Sequence, residues 1–363
     1  MADGLDFIVK RTDLRQCELI TAPLPPLADG QVRLRVDRFA FTANNVTYGA
    51  VADLIGYWNF FPAREGWGRI PVWGFAEVVE SRCAALPVGA RLFGYLPMST
   101  HLVMQPERVS AEGLVDGSPH RAALPQVYNQ YTRVAPDTRQ HEAALALFRP
   151  LFTTSFLLED ALAEHDDFGA THIVLTSASS KTALCLAFLL ARARRGGRRV
   201  VGLTSPAKAA FVRRTGYYDD VIAYDALDAL QTCGRAACVD FAGNGALLAA
   251  VHRALGERLQ HTYLVGLTHW EQRSPAADLP GPTPVFFFAP DRVDKRRADW
   301  GMAEFQRRVG GAMADFAASA TAWLTVVDHS GPQAVERLYQ QMVAGEIDPA
   351  VGHMATLCVS DER

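Results

Sequence analysis

The sequence predicts an α/β protein: a β-rich N-terminal part, barrel-like or sandwich-like, followed by a doubly wound parallel sheet. Three observations carry this. Gln31 to Thr42 (QVRLRVDRFAFT) alternates apolar and charged residues, the period of a half-buried strand. The periodicity turns helical around Ala143 in EAALALFRPLFTTSFLLEDALAEH. From Thr171 onward, short apolar runs alternate with helical patterns at the spacing of β/α units, which build parallel sheets covered on both faces. The chain has 363 residues, 49% of them hydrophobic and 21% charged, enough for two cores.

In order along the chain, PVWGFAEVVES (Pro71 to Ser81) and GARLFGYLP (Gly89 to Pro97) read as two further strands separated by turns. The helical stretch that follows contains Pro150, which is expected to kink or restart it. THIVLTS is then a strand, KTALCLAFLLARAR a helix, RRVVGLTS a strand and PAKAAFVRRTG a helix. DVIAYD, AACVDFAG and HTYLVGLTH are strands, with the helix ALLAAVHRALG between the last two. PVFFFAP (Pro284 to Pro290) is the expected last strand. A charged helix with Trp300 and Phe305 and an amphipathic end, GPQAVERLYQQMVAG, complete the chain. The expected domains are residues 1–140 (β-rich, catalytic), 141–290 (parallel sheet) and 291–363 (a return to the first).

Composition excludes several classes. A formal net charge of -3 implies no general attraction to nucleic acid or anionic lipid. RARRGGRR (Arg192 to Arg199) reads as a solvated helix end. The six cysteines are scattered without a CxxC pair, so neither a disulfide framework nor a structural zinc cluster is expected. The N-terminus lacks a signal-peptide core and no apolar run reaches membrane-spanning length, so a soluble cytoplasmic protein is expected, without a membrane partner.

HIVLTSASSKTA (His172 to Ala183) joins a strand to a helix without a glycine. A P-loop needs a glycine immediately before the Lys-Thr, where Ser180 stands. A plain polar connection is one reading. The other is a dinucleotide turn whose glycines have become small residues: Ser177, Ser180 and Ala183 keep the i, i+3, i+6 spacing. The helix N-terminus supplies amide donors for a pyrophosphate, Ser177 and Ser180 hydroxyls, and Lys181 a charge. The second strand ends in Thr204-Ser205 with no carboxylate for ribose hydroxyls. Ser205 reads as an N-cap with Pro206 at the first helical position. Lys208, in the first turn, opposes the helix dipole. A 2′-phosphate explains it, so NADPH is the expected cofactor rather than NADH. Gly266 and Thr268, at a later strand end, would line the cofactor cleft; Asp240 would shape the loop beside it.

SPAKAAFVRRTGYYDDVIAYD is similar to the "Ser, Lys, then Gly-Ala-Asp, then Tyr" segment of the zinc-independent quinone-oxidoreductase and enoyl-reductase branch of the medium-chain dehydrogenase/reductase superfamily. RPLFTTSFLL, SASSKTA and the upstream YNQY also resemble the DUF2855 proteins. The resemblance extends over nearly the whole chain, and it implies a GroES-like barrel domain plus a Rossmann domain. It assigns Lys208 and Tyr224, with Ser205, to the 2′-phosphate. The zinc-using branch has a histidine where WGFAE has Phe75, so no metal is expected. Asn44 matches the Asn of an Asn-x-x-Asp segment in which Thr47 replaces the Asp.

The implied reaction is hydride transfer to an activated C=C, followed by protonation. Its substrate would be an α,β-unsaturated carbonyl, a quinone or an enoyl thioester, a small apolar or thioester molecule. A phenol suits the acid role: Tyr57 stands first, Tyr48 second and Tyr131 behind them. Packing is the competing reading of any tyrosine in an aromatic run such as YWNFF. Ser155, Asp160 and His165 lie on a helical stretch without an elbow turn and argue weakly for a hydrolase. The alternative function is a redox-neutral lyase or isomerase, or a ligand-binding protein, on the same fold. Edge-strand pairing into a homodimer is possible by analogy.

Overall fold

The structure, a computed structural model, describes residues 3–135, 139–193, 195–265 and 279–358. The chain divides into two compact units, Met1–Leu147 with Val326–Arg363, and Phe148–Thr325. Both divisions fall inside elements rather than at residues 140 and 290.

The first unit opens with β1 (Gly4–Lys10), β2 (Asp13–Ala22) and β3 (Val32–Phe41). Helices α1 (Ala43–Ala50) and α2 (Ala52–Ile55) follow, then strands β4 (Trp67–Gly68), β5 (Pro71–Ser81), β6 (Arg91–Pro97) and β7 (His101–Met104). β8 (Pro106–Glu107), β9 (Gly113–Asp116) and β10 (Gln130–Arg133) end the strand-rich run, and α3 spans Arg139–Glu164. The three strands expected at Gln31, Pro71 and Gly89 are β3, β5 and β6. They are successive antiparallel neighbours, with Ala40 opposite Trp73 and Trp73 opposite Tyr95. Residues directly opposite on adjacent strands share a face, so this register stacks aromatic side chains behind the end of β3.

α3 runs through Pro150 without interruption. The helix does not restart there. Thr153 and Thr154 hydroxyls donate to the Arg149 and Pro150 carbonyls at 2.9 and 3.4 Å, on the turn after the proline.

The second unit carries β11 (His172–Leu175), α4 (Lys181–Ala193), β12 (Arg199–Thr204), α5 (Pro206–Arg214) and β13 (Asp220–Ala223). β14 (Ala236–Asp240), α6 (Gly245–Leu255), β15 (Leu259–Leu264) and β16 (Val285–Phe286) complete a sheet in the order β13-β12-β11-β14-β15-β16. Its neighbouring strands pair in parallel throughout. The order reverses between β11 and β14, the switch point of a doubly wound sheet, where ligands collect at the carboxyl ends of the strands. Val174, Val201, Leu203, Cys238, Val251 and Leu255 form the buried layer between this sheet and its helices, each large side chain contributing about 1.5–3 kcal/mol by burial.

Arg198 corrects the solvated-end reading of RARRGGRR. It is buried and grips both oxygens of Asp167 at 2.7 Å, with Glu159 at 3.5 Å. The charged helix after β16 is two helices, α7 (Ala289–Trp300) and α8 (Met302–Ala320). Gly301 separates them at φ 79°, a left-handed conformation that interrupts helical hydrogen bonding. Both helices belong to the second unit. The chain then re-enters the first unit with β17 (Thr325–Ser330), α9 (Pro332–Ala344) and β18 (Val351–Thr356). β18 pairs with β3, His353 lying opposite Phe41.

The architecture is the α/β class expected from sequence, a curled antiparallel GroES-like domain plus a Rossmann parallel sheet. Among the described residues no helix is long and apolar enough to cross a membrane.

Candidate functional site

In the parallel-sheet unit the glycine-free turn has the geometry that a glycine usually supplies. Ser177 sits at φ 49°, in the left-handed region, at a cost of about 1–2 kcal/mol for a residue with a Cβ. Ser180 occupies the N-cap position of α4. Its carbonyl accepts from the Leu184 amide at 2.9 Å and its hydroxyl from the Ala183 amide at 3.3 Å. The Ser179 and Thr182 amides make no hydrogen bond among the described residues, which leaves donors at the positive end of a 13-residue helix. Lys181 and Ser177 are half-buried on this turn.

The second strand presents its polar end next to the turn. Thr204 is buried and pairs with Ala223, so Ser205 and Tyr224 leave two adjacent parallel strands together. Ser205 is at the N-cap position with Pro206 in the first turn of α5, yet its side chain does not cap the helix. Lys208 is half-buried and forms no ion pair among the described residues. The Tyr224 hydroxyl accepts from the Ser177 amide at 3.0 Å. Tyr224 is thus brought to the turn itself, and it occupies the first amide of the cradle. Gly266 and Thr268 lie outside the described residues.

The switch point is clasped by a residue pair not singled out together in the sequence. The Thr176 hydroxyl, just past β11, donates to Asp240, at the end of β14, at 2.5 Å. Asp240 also accepts from the Ala242 and Gly243 amides at 3.2 and 3.1 Å. Burial pushes its carboxyl upward, and these hydrogen bonds pull back only in part. Asp240 therefore shapes its loop. The hydrolase reading fails on contacts: the buried Ser155 hydroxyl is within hydrogen-bonding reach of the Leu151 and Thr182 carbonyls, and Asp160 binds Arg292 and Arg296.

In the other unit, α1 begins immediately after β3 and sets Asn44 and Tyr48 one helical turn apart. Asn45 fixes that start: its carbonyl oxygen accepts from the Thr42 amide at 2.8 Å and its amide donates to the Pro71 carbonyl at 2.9 Å. Asn44 stays half-buried, while Tyr48 is buried. Tyr48, Tyr57, Tyr128 and Tyr95 form a closed ring of aromatic contacts. Their centroids stand 4.9 Å apart for Tyr48–Tyr57, 5.6 Å for Tyr57–Tyr128, 4.7 Å for Tyr128–Tyr95 and 5.8 Å for Tyr95–Tyr48. The Tyr57 and Tyr128 hydroxyls share a hydrogen bond of 2.9 Å.

Burial raises the pKa of all four phenols; Trp73 and then Asn44 lower Tyr48 in part, and Tyr128 lowers Tyr57 in part. These groups remain protonated at neutral pH, the state in which a phenol can donate a hydrogen bond.

Tyr131 is placed apart from this role. Its buried hydroxyl donates to the Tyr95 carbonyl and accepts from Arg121 at 3.2 Å, and burial pushes the phenol up to about 12. Its ring lies where a Cβ on Gly94 would stand, 2.3 Å from its nearest atom. Arg121 in turn pairs with Asp116 at 3.1 Å, both side chains 1% exposed. Tyr131 locks β6, β9 and β10 together. Tyr95 and Tyr128 complete the phenol ring, and the pattern GYLP announced only a strand. Among the described residues no group of three His, Cys, Asp or Glu side chains is arranged to hold a metal.

A model of the family described as "Protein of unknown function (DUF2855)" matches residues 39–348. No curated protein matches the sequence. Solved structures resemble the chain over almost its full length. CurA from Vibrio vulnificus in complex with NADPH superposes with a TM-score of 0.63 at 14% identity, covering 97% of this chain and 98% of that one. A mutant form of enoyl thioester reductase from Candida tropicalis gives 0.57 at 10% identity, covering 98% and 100%. S. aureus TarJ in complex with NADPH gives 0.57 at 11% identity, covering 97% and 98%. At such identities the likeness is one of fold.

Proposed function

The chain belongs to the DUF2855 family, and for this member we propose a zinc-independent, NADPH-dependent reductase acting on an activated C=C. The observation that carries the reading is the left-handed Ser177 in a turn with glycine spacing, at the N-terminus of α4 and beside the switch point. Two structures of the same fold, CurA and TarJ, are complexes with NADPH. Another is an enoyl thioester reductase. They support the cofactor and the chemical class.

The residues fit the cofactor. Ser180, Lys181 and the Ser179 and Thr182 amides would hold the pyrophosphate, and Ser177 would shape the turn. Lys208 and Ser205 would take the 2′-phosphate, with Tyr224 buttressing the turn through the Ser177 amide. Thr204 would line the site from the end of β12. The bound cofactor would supply a hydride.

This chain's own contribution to the chemistry lies in the phenols. Tyr48 replaces Tyr57 as the leading acid, because the Tyr57 hydroxyl is already engaged with Tyr128, whereas Tyr48 stands one helical turn from Asn44 on α1. In this scheme the substrate carbonyl accepts a hydrogen bond from Tyr48. As charge develops on that oxygen Tyr48 would give it a proton; the resulting enol would tautomerise to the saturated carbonyl, and Tyr48 would regain its proton from water. The substrate is an enone, quinone or enoyl thioester.

The test is direct. Tryptophan fluorescence of the purified protein is titrated with NADPH and NADH, and oxidation of NADPH is followed with enones, quinones and enoyl thioesters. Selective NADPH binding with substrate-dependent oxidation is expected. Binding of neither cofactor would defeat the proposal and leave the redox-neutral or ligand-binding alternative.

A homodimer is part of the proposal. β16 closes one edge of the parallel sheet, with Phe286 47% and Phe288 39% exposed. Sedimentation of Phe286→Glu is expected to show monomer where the unaltered chain shows dimer.

A further inference from the structure

One hydroxyl in the phenol ring has no partner. Tyr95 is 0% exposed and its hydroxyl makes no hydrogen bond among the described residues. The Tyr57 and Tyr128 hydroxyls engage one another. Neighbouring Tyr131 is bound to Arg121 and the Tyr95 carbonyl. An unpaired buried hydroxyl costs about 1–3 kcal/mol. A phenylalanine would keep every ring contact of Tyr95 with Phe60, Phe61, Trp73 and Tyr128 and avoid that cost. Packing therefore explains the ring and leaves the oxygen unexplained.

The position of that oxygen is informative. Tyr95 stands opposite Trp73 on the adjacent strand, and its ring meets Tyr48 edge-on at 75°. Its ring centroid stands 5.8 Å from that of Tyr48 and 4.7 Å from that of Tyr128, whose hydroxyl meets that of Tyr57 at 2.9 Å, so Tyr95 belongs to one cluster of phenols. A carbonyl oxygen has two lone pairs and a developing enolate oxygen carries charge; two neutral phenol donors match both.

We propose that the Tyr95 hydroxyl is a second hydrogen-bond donor to the substrate oxygen, beside Tyr48, among these aromatic rings. The inference rests on the reductase reading and extends it: the substrate is a planar conjugated carbonyl compound, held by its oxygen between two phenols and by its face against Trp73 and Tyr128. No covalent step is assigned to Tyr95; it retains its proton throughout.

The test compares the full-length protein with Tyr95→Phe by three measurements. Thermal unfolding should be unchanged or slightly raised, because an unpaired polar atom is removed. Binding of 4-nitrophenolate, a planar oxyanion followed by its own absorbance, should weaken at least fivefold. Turnover of 4-phenylbut-3-en-2-one with NADPH should fall in kcat by about 10²-fold, the usual effect of removing one such donor, with NADPH affinity unchanged. Equal nitrophenolate binding by both proteins, or no binding by either, would overturn the assignment. The two readings separate cleanly. Turnover unaffected by the substitution would sink the Tyr95 role and leave the reductase intact. Nitrophenolate binding lost in the variant, with no NADPH oxidation even in the unaltered protein, would keep the donor pair and reject the reductase.

Discussion

In the parallel-sheet unit the buried Asp240 carboxylate accepts hydrogen bonds from Thr176, Ala242 and Gly243, whereas in the other unit the buried Tyr95 hydroxyl makes none among the described residues. The same contrast recurs nearby. His252 in the second unit is within hydrogen-bonding distance of Thr262 and the Pro280 carbonyl, at 3.0 and 2.9 Å. Buried polar groups that satisfy one another hold a fold; in the phenol cluster the Tyr95 oxygen is left over although its ring is fully packed.

Within the first unit the same distinction divides Tyr131 from Tyr48, and it can be broken most forcefully at Arg121. Arg121→Ala leaves Asp116 as an unpaired buried charge and removes a donor from Tyr131. A loss of about 3–5 kcal/mol is expected, read from the midpoint of urea unfolding; a loss under about 1 kcal/mol would mean that this pair is not architectural. Tyr48→Phe is expected to act on chemistry instead. It should lower kcat for enone reduction at least about 10²-fold, or about 2.7 kcal/mol, with the melting temperature nearly constant. If Tyr57→Phe proves the more damaging of the two, the Tyr48 assignment is wrong.

Smaller effects sharpen the reading of the second unit. Lys208→Ala should weaken NADPH about tenfold, close to 1.4 kcal/mol, and leave NADH affinity untouched in calorimetric titration. Equal weakening of both would move Lys208 away from the 2′-phosphate. Ser177→Gly should stabilise the protein by about 1 kcal/mol, because a residue without a Cβ relieves the left-handed backbone, and NADPH affinity should persist. Destabilisation would show that the serine side chain, not the turn conformation, is what matters there.

Much of this was legible before any coordinates. The period-2 run at Gln31 and the alternation after Thr171 announced both units. The i, i+3, i+6 spacing of Ser177, Ser180 and Ala183 pointed to a turn whose first residue does adopt a left-handed φ. The phenol ring was legible only in part. Tyr48 and Tyr57 stand close together in sequence, but Tyr95 and Tyr128 join them through strand register and a distant segment, information that no local pattern holds. Tyr131 shares its polar-aromatic stretch with Tyr128, yet lies on the other side of the distinction, because Gly94 opens a space for its ring and Arg121 takes its oxygen. Gly301 shows the opposite failure: a single glycine in a charged helical pattern is tolerated in principle, and only its φ of 79° reveals that it divides two helices.

The return of the C-terminal segment to the first unit has a consequence for vectorial synthesis. Tyr339 packs against Phe7 and Phe41, with centroids 5.0 and 5.7 Å away, and its hydroxyl donates to the Leu14 carbonyl at 2.6 Å. β3 likewise lacks its β18 neighbour until Val351–Thr356 has emerged. The ribosome therefore makes the first strands early and completes their domain last, while Phe148–Thr325 has all of its own residues to hand sooner. On a chain arrested before residue 326, hydrogen exchange should find the parallel sheet protected while the strands at the N-terminus still await closure.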